Sequence, residues 1–147
     1  MNYSKEVLKH FSKPHNYGKI ENYDGLGRVG NMTCGDEMFV YIKVKDNIIK
    51  DIKFETFGCV AAIATSSVLT DLAKKKTIED ALKITRQDVI DALGELPPIK
   101  IHCSVLAIDA LTQAVYDYYI KNNLPISKEL EDRHNQIIKR ESCHLGK

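Results

Sequence analysis

Charge of one sign is what the sequence has least to spare: 21 lysines and arginines face 20 aspartates and glutamates, a formal net charge of +1. Such a balance builds in no bulk attraction to a polyanion, which argues against nucleic acid as the main partner. Long apolar runs are missing too. No stretch approaches the roughly 20 apolar residues of a membrane span. The N-terminal MNYSKEVLKHFSKPHNYG breaks its apolar positions with Lys, Glu and His and so lacks the apolar region of a secretory signal. The expectation is a soluble, cytoplasmic protein without a membrane partner. There is no internal repeat. The cysteines number only four, Cys34, Cys59, Cys103 and Cys143, and a cytosolic protein of this size neither needs nor usually keeps disulfides. Their spacing excludes the short CxxC knuckle of a zinc finger, because Cys34 and Cys59 are 25 residues apart and Cys59 and Cys103 are 44. Thiol chemistry or metal ligation is the question they raise.

What is present is enough for one core. The 147 residues are 44% hydrophobic and 28% charged, the composition of an ordinary globular domain. Ser4 precedes a short helical segment, KEVLKHF, with Val7, Leu8 and Phe11 at helical spacing, and Pro14 ends it. Five of the eight glycines fall between residues 15 and 36, which reads as loop with an edge strand around Arg28 to Thr33. Two alternating runs, Met38 to Val44 and Ile48 to Phe54, flank Asp46-Asn47 and predict an antiparallel hairpin with one buried face. The period then changes, and the Ala- and Ser-rich CVAAIATSSVLTDLAKK predicts a helix packed closely on the sheet. Thr77 with Asp80 and Thr85 with Asp88 match capping boxes at the heads of two short helices, the second closed by Gly94. Leu96-Pro97-Pro98 reads as a stiff extended connector. Residues 104 to 121 form an amphipathic helix, with Ala107, Leu111, Ala114, Val115 and Tyr118 on one face and Asp109, Thr112 and Gln113 on the other. A last charged helix runs from Ser127 to about Arg140. Strands first and helices afterwards predict an α+β fold, a small antiparallel β-sheet with helices packed on one face.

Three of the cysteines stand at element boundaries. Cys34 lies in TCGD, where a soft thiolate and the hard carboxylate of Asp36 flank Gly35. Cys59 falls where the second hairpin strand gives way to a helix, and Cys103 falls at the entry to the long helix beside His102 and Lys100; both positions favour thiolate. A single cysteine is more often a small core hydrophobe than a ligand, but three at boundaries, each beside Gly, Asp or His, point jointly to a site. Spacing alone does not show that they converge. Cys143-His144 sits in a polar tail and reads as non-ligating. His10, His15 and His134 read as solvated, and Lys74-Lys75-Lys76 as a helix end explained by dipole complementarity.

CGD at 34 to 36, TFGC with AIATSS at 56 to 67, and LPPIKIHCSVLAIDA at 96 to 110 together resemble the IscU/NifU family of iron-sulfur cluster assembly scaffolds. The resemblance runs from Tyr3 to about Tyr118, so that residues 1–121 form the scaffold domain and 122–147 a C-terminal helical extension and tail. It implies the same α+β fold and a convergence of Cys34, Cys59 and Cys103 with Asp36 and His102 beside them. Three thiolates leave a fourth position for a weaker ligand, Asp36 or His102, which suits a scaffold that must surrender its product. The implied cargo is iron as an iron-sulfur cluster, 2Fe-2S first and 4Fe-4S as the alternative, with zinc in the cluster-free form. The implied partners are a cysteine desulfurase, which delivers persulfide sulfur with Cys103 as main acceptor, and the apo iron-sulfur proteins that receive the cluster. The role is that of a scaffold and carrier rather than an enzyme. Leu96, Pro97, Pro98, Ile99 and Lys100 resemble the segment by which an Hsp70-type chaperone binds these scaffolds, and an extended peptide suits a groove. Tyr3 matches an N-terminal tyrosine linked in relatives to subunit contact, and a homodimer is an open assembly state. The sequence departs from the family at Val60-Ala61, where Gly-Ser or Gly-Ala is usual, which stiffens the chain after Cys59. The alternative within the superfamily is a zinc-bearing SufU-like sulfur-transfer protein. A Cys-His nucleophilic enzyme ranks below both, since no oxyanion motif accompanies His102-Cys103.

Overall fold

Among the described residues three antiparallel strands in the order β1-β2-β3 carry the domain: β1 Gly25–Asn31, β2 Asp36–Lys45 and β3 Ile48–Thr56. The computed structural model describes residues 3–31 and 36–144; of residues 31, 36, 99 and 141–144 only the backbone is described. Asp46 and Asn47 both adopt left-handed φ, 55° and 61°, the backbone of a two-residue hairpin turn whose twist matches its strands. Alternation then does its work. Met38, Val40, Ile42, Ile49, Ile52 and Phe54 are all at most 1% exposed, whereas Lys43, Lys53 and Glu55 stand on the other side of the same strands. The α+β fold expected from the sequence is the fold observed.

Helices cover the apolar face. In chain order they are α1 Lys5–Ser12, α2 Val60–Ala73, α3 Ile78–Leu82, α4 Arg86–Leu93, α5 His102–Lys121 and α6 Lys128–His144. The small residues of α2, among them Ala61, Ala62, Ala64, Ser66 and Ser67, are buried. Small side chains let α2 approach its neighbours closely. Ser4 caps α1 by accepting from the Val7 N–H at 3.1 Å, and its own hydroxyl donates to the Leu93 carbonyl at 2.6 Å, tying α1 to the end of α4. Thr85 and Asp88 form the full reciprocal box at the head of α4, while Thr77 supplies only the forward bond from the Asp80 N–H.

Five details differ from the sequence reading. In α1 the buried residues are Val7 and His10, whereas Leu8 and Phe11 are 49% and 41% exposed; the inward pair is Val7 and the residue three positions on, not the more apolar neighbours. Pro98–Lys100 is a turn of 3-10 helix rather than extended chain. Proline is compatible with the first position of a helix, where its missing N–H has no partner to lose. Helix α2 stops at Ala73, and Lys75 turns to φ 68° so that its N–H donates to the Ile49 carbonyl at 2.7 Å. The lysine run thus closes the edge of β3 as well as ending a helix. Thr112 of α5 is 1% exposed, because α6 lies over it and Arg133 donates to its hydroxyl at 2.7 Å. The same helix buries Leu130 and Ile137 and sets Arg140 3.0 Å from Asp109. His134 stacks on Tyr116 with ring centroids 3.7 Å apart and bonds Gln113 at 2.9 Å, so it is packed rather than solvated.

Candidate functional site

The chemistry gathers at one end of the sheet. Asn31 and Asp36 pair at the end of β1 and the start of β2, and Met38 pairs with Thr56 at the end of β3. The chain leaves β3 there, with the Thr56 hydroxyl and the Phe57 N–H both donating to the Glu37 carbonyl, at 2.6 and 3.1 Å. Three residues later Cys59 is the N-cap of α2 with an extended backbone, φ −82° and ψ −180°, and no side-chain cap bond. Its sulfur is therefore left to other partners. Helix α5 begins at the same end. Ile101 caps it, His102 opens it and Cys103 is its second residue. Both cysteines stand at helix N-termini, where the backbone dipoles favour negative charge.

The two sulfurs converge although 44 residues separate them: Cys59 Sγ lies 3.8 Å from Cys103 Sγ, and His102 Nε2 lies 3.6 Å from Cys103 Sγ. Cys59 is half-buried, whereas Cys103 is fully buried. Lys100 completes the described group. Its ammonium is held protonated above the usual lysine range, chiefly by the charge of Cys59, which outweighs the opposing effect of burial, and further by Cys103, Tyr3 and a hydrogen bond to Cys59. A fixed cation beside two sulfurs is the setting in which thiolates form. Tyr3, half-buried against the core, links the start of the chain to the same corner.

The arrangement joins Cys59, Cys103, His102 and Lys100, as residue types at element boundaries suggested. Cys34 and Gly35 lie outside the described residues, as do the side chains of Asp36, Ile99 and Cys143. The expected set is thus described in part. Within LPPIK, Leu96 is buried at 8% exposure and Pro98 is exposed. A further titratable group was missed by the sequence reading: His10, His15 and Asp71 bring one ligand atom each within 4.8 Å of one another. The signal available was the inward position of His10 one turn after Val7, which the stronger apolar character of Leu8 and Phe11 obscured.

Paired soft ligands at the end of a small α+β sheet, with an imidazole and an ammonium beside them, define a thiol-based metal- or sulfur-handling domain. Comparison with known proteins makes that specific. The chain matches the NifU-like N terminal domain over residues 2–124, and it belongs to that family. It is 60% identical over 136 residues to the iron-sulfur cluster assembly scaffold protein IscU 1 of Archaeoglobus fulgidus, covering 88% of this chain and 89% of that one. It is 46% identical over 125 residues to the Escherichia coli iron-sulfur cluster assembly scaffold protein IscU, covering 82% and 97%. Among solved structures, it superposes with TM-score 0.66 on a protein from Fervidobacterium islandicum described as a SUF-system scaffold, 25% identical, over 77% of this chain and 96% of that one. Among the described residues no helix is long and apolar enough to cross a membrane.

Proposed function

We propose that this chain is an IscU-type scaffold on which iron-sulfur clusters are assembled and from which they are passed on. The observation that carries the reading is the 3.8 Å approach of Cys59 and Cys103 with His102 at 3.6 Å, at the end of the sheet where Asn31 pairs with Asp36. Cys34, Cys59 and Cys103 are the thiolate ligands of the cargo, and Asp36 or His102 supplies the exchangeable fourth position. The cluster, 2Fe-2S in this reading, is cargo, built from iron and sulfur and then surrendered.

Sulfur arrives as a persulfide on a cysteine desulfurase. The Cys103 thiolate attacks the terminal sulfur, a new S–S bond forms at Cys103, and the desulfurase cysteine leaves as thiolate. Lys100 favours the attacking anion and neutralises charge as it moves. Because Cys103 is closed to solvent here, the chain around it has to move for the donor to reach its sulfur. Leu96–Lys100 is the proposed contact for an Hsp70-type chaperone. Leu96 is buried and Pro98–Lys100 is helical, so that contact requires the segment to be drawn out of the fold. Apo iron-sulfur proteins receive the product, residues 1–121 form the scaffold unit, and the cellular setting is the cytoplasm.

A zinc-bearing SufU-like sulfur-transfer role is the second reading, kept because the SUF-system neighbour, itself described as an assembly scaffold, shares the fold. The higher identity to proteins named IscU ranks it lower. The experiment is anaerobic purification and reconstitution with iron and a cysteine desulfurase, reading iron, zinc, acid-labile sulfide and the visible spectrum. Stoichiometric iron and sulfide, lost with Cys34→Ala, Cys59→Ala or Cys103→Ala while the fold persists, is the expected result. Tightly held zinc that resists replacement, with persulfide uptake but no cluster, overturns it in favour of sulfur transfer.

A further inference from the structure

We propose that His10, His15 and Asp71 form a second metal site, one that takes a divalent transition-metal ion of the zinc class and lies apart from the cysteine site. Asp71 lies on α2 twelve residues after Cys59, which at 1.5 Å per residue puts it about 18 Å along the helix. The two sites share no ligand.

Three observations build the site. Donor type comes first: two imidazoles and a carboxylate are a hard-to-borderline set, suited to zinc and its neighbours and poorly suited to a cluster. Geometry follows. One ligand atom from each residue lies within 4.8 Å of the others, and the His10 and His15 ring centroids are 4.7 Å apart, tilted by 58°. Ligands about 2.0–2.2 Å from a tetrahedral ion stand roughly 3.3–3.6 Å apart, so closure needs small side-chain rotations. His15 and Asp71 can make them, being 49% and 42% exposed. His15 Nδ1 and Asp71 Oδ2 are already in contact at 2.6 Å. The ion takes the place of the proton that this contact holds.

The surroundings hold these ligands in place, which is the third observation. His10 is 8% exposed, and its Nδ1 lies 2.7 Å from the Ser67 hydroxyl, which also accepts the His15 N–H at 2.8 Å. One hydroxyl thus fixes both histidines. The Asn16 amide donates to Asp71 Oδ1 at 2.9 Å, which orients the carboxylate and leaves Oδ2 toward His15. Partners of this kind orient metal ligands and fix their tautomers. An ion held here pins the end of α1 and the loop after it to α2, and α1 begins at Ser4 and Lys5, next to Tyr3 at the cysteine site.

The test uses the full chain with Cys34, Cys59, Cys103 and Cys143 replaced by Ala and titrated with Co2+. The expected result is one saturable equivalent with weak d–d absorption and no thiolate charge-transfer band, displaced by Zn2+. His15→Ala and Asp71→Ala each weaken it at least tenfold, and His134→Ala leaves it unchanged. No saturable binding, or binding that His15→Ala and Asp71→Ala leave intact, overturns the site. Should the four-cysteine variant fail to fold, the wild-type chain loaded with one equivalent of Zn2+ is followed by histidine ring NMR. His10 and His15 resonances that shift with this or with a second equivalent support the site, and resonances unmoved by both overturn it. The cysteine site and its cargo are not read in either experiment, so the result stands whatever the outcome of cluster reconstitution.

Discussion

Gly27 of β1 lies backbone-to-backbone against Ala110 of α5: a Cβ at Gly27 would overlap the Ala110 carbonyl and come within 2.5 Å of the Ala114 nitrogen. Gly25, two residues earlier on the same face, would meet the Ala114 carbonyl. Two glycines at period two let α5 settle onto the strand, and Cys103 stands two turns before Ala110 on that helix. The close approach thereby fixes where the second sulfur sits relative to the first. Gly27→Ala is expected to destabilise the fold by about 1–3 kcal/mol, the cost of overpacking where backbone rather than side chain must yield. Chemical denaturation measures the loss. It should be accompanied by weaker coupling between Cys59 and Cys103, read as a lower yield of their disulfide under mild oxidation.

The Lys100 ammonium gains from the charge of Cys59 and Cys103, and the attraction is mutual. Lys100→Gln should therefore move the alkylation of Cys59 to higher pH and slow it near neutral pH by up to about tenfold, the equivalent of one pKa unit. Rates of iodoacetamide labelling against pH, followed by mass spectrometry, test this. An unchanged profile would remove Lys100 from the activation of the thiol.

Burial holds the pKa of His10 below the ordinary value of 6.5, with the His15 charge acting in the same direction and Asp71 and Glu6 opposing it. The folded state therefore binds this proton less readily than the unfolded chain. As pH falls through 6.5 the unfolded state protonates first, so stability drops on the acid side and is level with respect to this group above it. Urea midpoints between pH 5 and 8 should show that slope, and His10→Gln should flatten it.

Helix α6 is held to α5 through a pair with unequal partners. Asp109 is largely buried, at 17% side-chain exposure, and Arg140 is half exposed. Burial raises the pKa of Asp109, and Arg140 only partly offsets that rise. Removing the arginine takes away the ion-pair partner of a buried carboxylate and leaves only Arg133 acting on it from farther away, so Arg140→Ala should cost about 1.5–3 kcal/mol. Asp109→Asn removes the charge that burial disfavours and should cost less than Arg140→Ala, despite losing the same ion pair. Thermal unfolding of the two variants decides the order.

The hairpin strands, the Asp46-Asn47 turn, the Thr85-Asp88 box and the helix break at Gly94 were legible in the sequence, because each rests on local periodicity or on the side chain of one residue, whereas β1 starts at Gly25, three residues before the expected edge strand and inside the glycine-rich stretch read as loop. The thiol site was legible as residue types: Cys59 and Cys103 stand at helix starts because the pattern around them changes there. What the sequence could not supply was distance. That two sulfurs 44 residues apart lie 3.8 Å from each other follows from β1 glycines admitting α5, a contact that has no local signature. For the same reason the inward turn of His10, the burial of Thr112 under α6 and the meeting of His15 with Asp71 went unread. Local chemistry determined which elements form and which residues could react. Only packing between elements decided which of them meet, since burial depends on what a distant segment covers and not on the residue's own polarity.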